Sequence, residues 1–218
     1  MFDRIAGRYD ALNRILTLGM DVRWRRKGVR ALELPPGSLV LDLACGTGDL
    51  CRELARAGHR PVGFDFSAGM LARARTRAPL VRADVLRLPV ASAVADGIIC
   101  GFALRNVVDL PAFFREAARM LRPRGRAVFV EVSEPDQRLM RLGHAVYFRR
   151  IVPLVGGLLS DREAYAYLPA SMMYLPSPAE LARMLRAAGF EDVRRAALSA
   201  GIAQLVAGTR SGRRSGRG

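Results

Sequence analysis

The sequence predicts an α/β fold: a mostly parallel, doubly wound sheet of seven strands closed by a C-terminal antiparallel hairpin. Three observations predict it. Strand and helix patterns alternate from residue 39 onward. The first strand passes into its helix through a Gly-x-Gly turn at Gly46 to Gly48. The last two apolar runs, Val193 to Leu198 and Ile202 to Thr209, are separated by a Ser-Ala-Gly turn and read as a hairpin.

The elements follow in order. Residues 2–33 read as an N-terminal helical segment with a break near Gly19, ahead of Pro35-Pro36-Gly37, which starts the core. Strand one covers Leu39 to Leu43 and its helix Asp49 to Ala57. Strand two is expected over 61–65, a helix over 68–77 and a short third strand over 79–82. Strand four is Gly97 to Phe102, followed by a helix over 111–121. Strand five is Arg126 to Val132, after the turn Arg122-Pro-Arg-Gly125. A helix over 178–188 ends at Gly189, a C′ glycine. Residues 136–177 form an insertion after strand five. Within it, Pro153 and Gly156-Gly157 prevent one straight helix over the apolar, aromatic run Ala145 to Leu159. An insertion there lies at the carboxyl ends of the strands, where open sheets bind ligands, and is placed to roof a pocket for an apolar substrate; packing onto the core explains its composition equally well. The whole reads as one domain over 1–209, with 210–218 a disordered tail of Gly, Ser and Arg.

Bulk properties narrow the function. No apolar run approaches the roughly 20 residues of a spanning helix. The first residues carry charges where a signal peptide is apolar, so a cytoplasmic location is expected. Cys45, Cys51 and Cys100 give neither a disulfide framework nor metal-ligand spacing, and no metal is expected. The net charge is +15, but Lys27 is the only lysine, a skew that resembles coding bias more than choice of partner. The arginines are spread along the chain with no nucleic-acid motif, so no nucleic-acid partner is expected.

The glycine turn carries the chemistry. Gly46 and Gly48 let the backbone turn tightly against a ligand, and exposed amides there favour anionic groups. Some 20 residues on, Asp65 ends strand two, with Phe66 beside it, placing a carboxylate where a ribose is gripped. A nucleoside cofactor follows. A dinucleotide fingerprint wants a small residue where Cys51 stands. Asp42, inside strand one, suits a methyltransferase, where it meets the charged amino-acid end of S-adenosylmethionine; capping of the turn is its plain structural alternative. A hairpin-closed sheet is likewise the Rossmann-like class I methyltransferase arrangement, whereas a dinucleotide fold ends on a parallel strand.

Three segments carry a resemblance. Met1-Phe-Asp-Arg-Ile-Ala-Gly-Arg-Tyr-Asp-Ala-Leu-Asn13, with Gly19 and Trp24-Arg-Arg26, is one; Phe102-Ala-Leu-Arg-Asn-Val107 and Tyr165-Ala-Tyr-Leu-Pro-Ala-Ser171 are the others. On them, and nearly end to end, the chain resembles the ubiquinone/menaquinone biosynthesis C-methyltransferase family. The resemblance implies cofactor contacts at Thr47, Asp65, Asp84 and Val85, the last two around adenine, and at Gly101 through backbone alone, where the family often has serine. Ala103 and Arg124 also replace family glycines; the first narrows the pocket.

The implied reaction is methylation of a ring carbon on a reduced polyprenyl quinone precursor, such as demethylmenaquinol, with the benzoquinone ring left open. A hydroquinone ring is electron-rich, so the enzyme chiefly aligns it, excludes water and assists deprotonation. The implied catalytic candidates are Arg105 for a phenolate, Asn106 for a ring oxygen, and Tyr9, which closes over the site with Asp10 and Asn13. Tyr165 and Tyr167 read as pocket walls. Partners follow from this: a lipophilic quinol, peripheral contact with a membrane surface, and a homodimer left open. The rivals are a methyltransferase of a soluble natural product, a basic nucleic-acid-binding protein, and a dehydrogenase.

Overall fold

The structure is a computed structural model, and it describes residue 14 and residues 17–133, 135 and 175–212. Tyr9, Asp10, Asn13, Tyr165, Tyr167, nearly all of the 136–177 insertion and the tail from 213 lie outside the described residues.

A seven-stranded sheet runs in the order β3-β2-β1-β4-β5-β7-β6. Its strands are β1 (Leu39–Leu43), β2 (Arg60–Asp65), β3 (Leu80–Arg82), β4 (Ala95–Gly101), β5 (Leu121–Val132), β6 (Phe190–Leu198) and β7 (Ala203–Arg210). The first five pair in parallel, and β7 runs antiparallel to both β5 and β6. The expected closing hairpin is therefore present. Between β1 and β4 the strand order reverses, which opens a crevice beyond their carboxyl ends.

Period-two alternation sends successive residues to opposite faces of the sheet. Val40, Ile99, Val128 and Val130 pack on one face, beneath α1 (Met20–Ala31) and α2 (Asp49–Arg56), with Trp24, Val29, Leu50 and Leu54. Leu41, Ile98, Cys100 and Phe129 pack on the other, under α4 (Leu110–Met120) and α5 (Pro178–Ala187). There Phe113 and Phe114 meet Phe129 edge-on at centroid distances of 5.9 and 5.1 Å. Asp109 caps α4, accepting from the Ala112 amide at 2.8 Å, and Ser177 with Glu180 forms a capping box on α5. Gly189 ends α5 at φ 93°, the expected C′ glycine.

Helix α1 is held on its sheet face at both ends. Trp24 Nε1 donates to Ser199 Oγ at 2.9 Å, and Arg126 of β5 donates to the carbonyls of Ala31 and Leu32, each at 3.3 Å. Its break falls where Gly19 takes φ 74°.

Two boundaries depart from the sequence pattern. The helix expected over 68–77 is only one turn, α3 (Ala68–Leu71). Beyond it the Arg75 amide donates to Thr47 O at 3.1 Å, and Thr76 Oγ1 takes the Ala78 amide at 3.1 Å, which commits the chain to the glycine turn before Pro79. Strand β5 begins directly after α4, so the expected turn at Arg122–Gly125 becomes an irregularity inside the strand, where the register shifts between Ala95 and Gly97.

Candidate active site

A cavity of about 390 Å³ lies at the reversal point, beyond the carboxyl ends of β1, β2 and β4. Four backbone positions that shape it adopt left-handed conformations: Ala44 (φ 57°) and Gly46 (φ 55°) after β1, Gly48 (φ 80°) before α2, and Phe102 (φ 60°) after β4. Two of the four, Ala44 and Phe102, are non-glycine residues, for which this region stores strain. The two glycines divide their work. A Cβ on Gly46 would meet nothing within 4 Å, so that side stays open for a ligand. A Cβ on Gly48 would lie 2.7 Å from Thr76 Cγ2, so Gly48 is needed by the protein itself. Of the two, only Gly46 lines the cavity.

At the β2 end, Asp65 receives the Gly46 amide on Oδ2 and the Ser67 amide on Oδ1, both at 2.8 Å. The carboxylate is thereby fixed in orientation at the cavity wall, where each oxygen keeps further acceptor capacity. Phe66 lines the cavity with an exposed ring and Arg82 stacked 5.8 Å from its centroid. Asp84 and Val85, after β3, line the same end, as does Thr47 in the turn.

At the β1 end, Asp42 is fully buried in the floor. Its Oδ2 takes the Cys51 thiol at 3.2 Å, and its Oδ1 accepts no hydrogen bond among the described residues. Burial pushes the carboxyl up to about 7, against the opposing pull of the Cys51 thiol. A contact with Cys45 and then burial push the Cys51 thiol far up, and burial does the same at Cys100, so both stay protonated. Among the described residues no group of three or more His, Cys, Asp or Glu side chains is placed to hold a metal ion.

The β4 exit forms the remaining wall. Gly101, Phe102, Ala103, Asn106, Val107 and Val108 all line the cavity. The space a Gly101 side chain would take is filled by Leu50, whose Cδ1 would sit 2.7 Å from a Cβ there. Arg105 does not line the cavity; its guanidinium is paired with Glu131 of β5, both groups buried. Glu131 Oε2 also receives the Arg105 amide at 3.4 Å and Oε1 the Val132 amide at 2.9 Å.

The site therefore unites Asp42, Gly46, Thr47, Asp65, Phe66, Asp84, Val85, Gly101 and Asn106 as expected, and leaves Gly48 and Arg105 just behind the wall. It adds residues given no site role from sequence: Arg25 of α1, Asp49 and Leu50 of α2, and Met70 of α3. Arg25 carried a signal, the Trp24-Arg25-Arg26 run, but nothing local says where α1 docks.

These residues fit an S-adenosyl nucleoside on their own chemistry: a fixed carboxylate for a ribose, an exposed ring for a base, and an orphaned buried acceptor for an ammonium. The family described as the ubiE/COQ5 methyltransferase family matches residues 1–210. A demethylmenaquinone methyltransferase of Mycolicibacterium vanbaalenii is 45% identical over 213 residues, 97% of this chain and 93% of that protein. A ubiquinone/menaquinone biosynthesis C-methyltransferase of Syntrophotalea carbinolica is 40% identical over 220 residues, again 97% and 93%. Among solved structures, a SAM-dependent methyltransferase of Thermotoga maritima superposes with TM-score 0.69 at 20% identity, covering 96% of this chain and 98% of the other. A phosphoethanolamine N-methyltransferase of Haemonchus contortus, solved with S-adenosyl-L-methionine, gives 0.62 at 12% identity, covering 86% and 52%.

Proposed function

Because the chain belongs to the ubiE/COQ5 methyltransferase family, we propose that it methylates a ring carbon of demethylmenaquinol, a reduced polyprenyl quinone precursor. It is an S-adenosylmethionine-dependent methyltransferase with the class I fold. One observation carries the substrate reading beyond the relatives' names. The cavity runs from a polar nucleoside end at Asp65 and Asp84 to an apolar wall at Phe102, Ala103, Val107 and Val108. That wall suits a flat, hydrophobic ring.

When bound, S-adenosylmethionine supplies an electrophilic methyl group on a sulfonium. The chain's residues hold and align. Asp65 accepts from the ribose hydroxyls, Asp84 from the adenine amino group, and the Val85 amide donates to the ring. Phe66 covers the base. Asn106 orients a ring oxygen through its side-chain amide. Arg105, neutralised by Glu131, acts one layer behind as a positioning residue that fixes the turn carrying Asn106. The apolar wall keeps water from the reacting carbon, which leaves the ring as the nucleophile.

The experiment is turnover of purified protein with the methyl donor and a short-chain demethylmenaquinol, read as one added methyl on the ring. Transfer to soluble phenols with none to the quinol would overturn the reading. We also propose peripheral membrane contact, since the substrate's prenyl tail resides in a bilayer. Its support is the net charge of +15; no helix among the described residues is long and apolar enough to cross a membrane. Flotation with anionic vesicles tests it, and protein left at the bottom of the gradient refutes it.

A further inference from the structure

The nucleoside end of the cavity accounts for neither Arg25 nor the orphaned oxygen of Asp42. Arg25 sits on α1 with its side chain buried, yet it lines the cavity. Its Nη1 is paired with Asp21, one helical turn back, and its Nη2 lies 3.4 Å from Asp49 Oδ2. The guanidinium also stacks 5.2 Å from the centroid of Phe102, so three elements hold it at that wall. Asp49 is itself paired with Arg52, and among the described residues Arg25 is the basic side chain that lines the cavity.

In the same cavity, Asp42 offers Oδ1 without a hydrogen-bond donor among the described residues, and the two groups interact electrostatically. The glycine turn at the N-terminus of α2 lines the same cavity, and its amides add positive potential. One wall of this end is thus an arginine and its floor a carboxylate. That is the complement of a zwitterion.

We propose that Arg25 binds the α-carboxylate of the methyl donor while Asp42 receives its α-ammonium. Helix α1 then becomes part of the cofactor site. A guanidinium has five N–H donors, so its pairing with Asp21 and Asp49 leaves capacity for a ligand carboxylate. The inference rests on the cavity being the methyl-donor site but is independent of which acceptor is methylated.

The test is a cycle of ligand against residue, read by calorimetric affinity. S-adenosylhomocysteine carries the amino-acid end, its decarboxylated analogue lacks only the carboxylate, and methylthioadenosine lacks the whole end. Wild type is expected to bind S-adenosylhomocysteine roughly tenfold or more tightly than the decarboxylated analogue. In Arg25→Gln that preference should shrink to about twofold or less, with methylthioadenosine affinity unchanged. Arg25→Lys, a point charge without the fork, should keep an intermediate preference.

Should Arg25→Gln leave Asp21 as a lone buried charge and lose the nucleoside as well, the paired variant Asp21→Asn/Arg25→Gln repeats the cycle without one. No carboxylate preference in wild type, or an equal preference in wild type and variant, overturns the inference and leaves Arg25 a structural ion pair. Failure of all three ligands to bind wild type would instead overturn the placement of the methyl donor itself. Quinol turnover is not part of this readout, so a wrong acceptor cannot be mistaken for a wrong Arg25.

Discussion

Two carboxylates of the site differ in kind because of their surroundings. Asp65 is held by two backbone amides at the cavity wall, and the role proposed for it is to accept from sugar hydroxyls. Asp65→Ala should weaken S-adenosylhomocysteine binding roughly tenfold, about 1.4 kcal/mol, because the hydroxyls lose a charged acceptor and the Gly46 amide is freed. Titration calorimetry checks it, and an unchanged affinity would remove Asp65 from the site. Asp42 is fully buried, its hydrogen bonds from Cys51 do not offset that burial, and its carboxyl is pushed from 3.8 up to about 7. The folded chain therefore holds this proton more tightly than the unfolded chain does. The resulting stability is complete below pH 3.8 and is lost as pH rises through about 7. Thermal denaturation of the free protein should show this loss, and Asp42→Asn should remove that part of the pH dependence. A ligand ammonium favours the ionised carboxyl, so wild-type affinity for S-adenosylhomocysteine should rise with pH up to about 7. The Asn variant should bind weakly with a flat profile; a matching slope in both proteins would assign the titration elsewhere.

At the level of elements, the glycine turn is a joint between three segments. Gly48 needs φ 80° and also the absence of a Cβ, because Thr76 packs against it while the neighbouring Arg75 amide binds Thr47 O. Gly48→Ala should therefore cost about 1–3 kcal/mol from backbone strain and overpacking. Gly48→Ala/Thr76→Ala should recover the packing share but not the strain, which denaturant melts of the single and double variants resolve as a coupling energy. No recovery would mean that φ alone is at stake. This joint also marks where sequence reading stopped. Strand β1, the turn and Asp65 were legible because they are local: an apolar run, two glycines and an acid at fixed spacing. The helix expected over 68–77 is cut to one turn although its residues suit a helix, because Thr47, far back in the chain, takes the Arg75 amide. Likewise Phe102-Ala-Leu-Arg-Asn-Val107 was legible as a functional segment, but Arg105 could not be separated from Asn106. The partner that turns Arg105 away is Glu131, on the next strand.

For the molecule as a whole, the decisive long-range fact is where α1 docks, since α1 carries Arg25 to the cavity. Gly28 sets that distance. Its position faces β5 and β4, and a Cβ there would lie 2.7 Å from Val130 Cγ2 and 3.5 Å from Ile99 Cδ1. A glycine inside a helix costs about 1 kcal/mol relative to alanine, so close approach to the sheet is what this one provides. Gly28→Val regains little helix propensity and inserts a branched side chain against a branched side chain. It should push α1 outward and lower stability by about 1–3 kcal/mol. The anchors at Trp24 with Ser199, and at Arg126 with the last carbonyls of α1, lie on either side of this point, so the helix shifts rather than detaches. The outward shift draws Arg25 away from Asp49 and Phe102. Affinity for S-adenosylhomocysteine should then fall several-fold more than affinity for methylthioadenosine, which ends short of Arg25. Melting curves together with the two affinities read both effects. A destabilised variant that keeps its full preference for the amino-acid end would show that the docking of α1 and the recognition of the cofactor are separate.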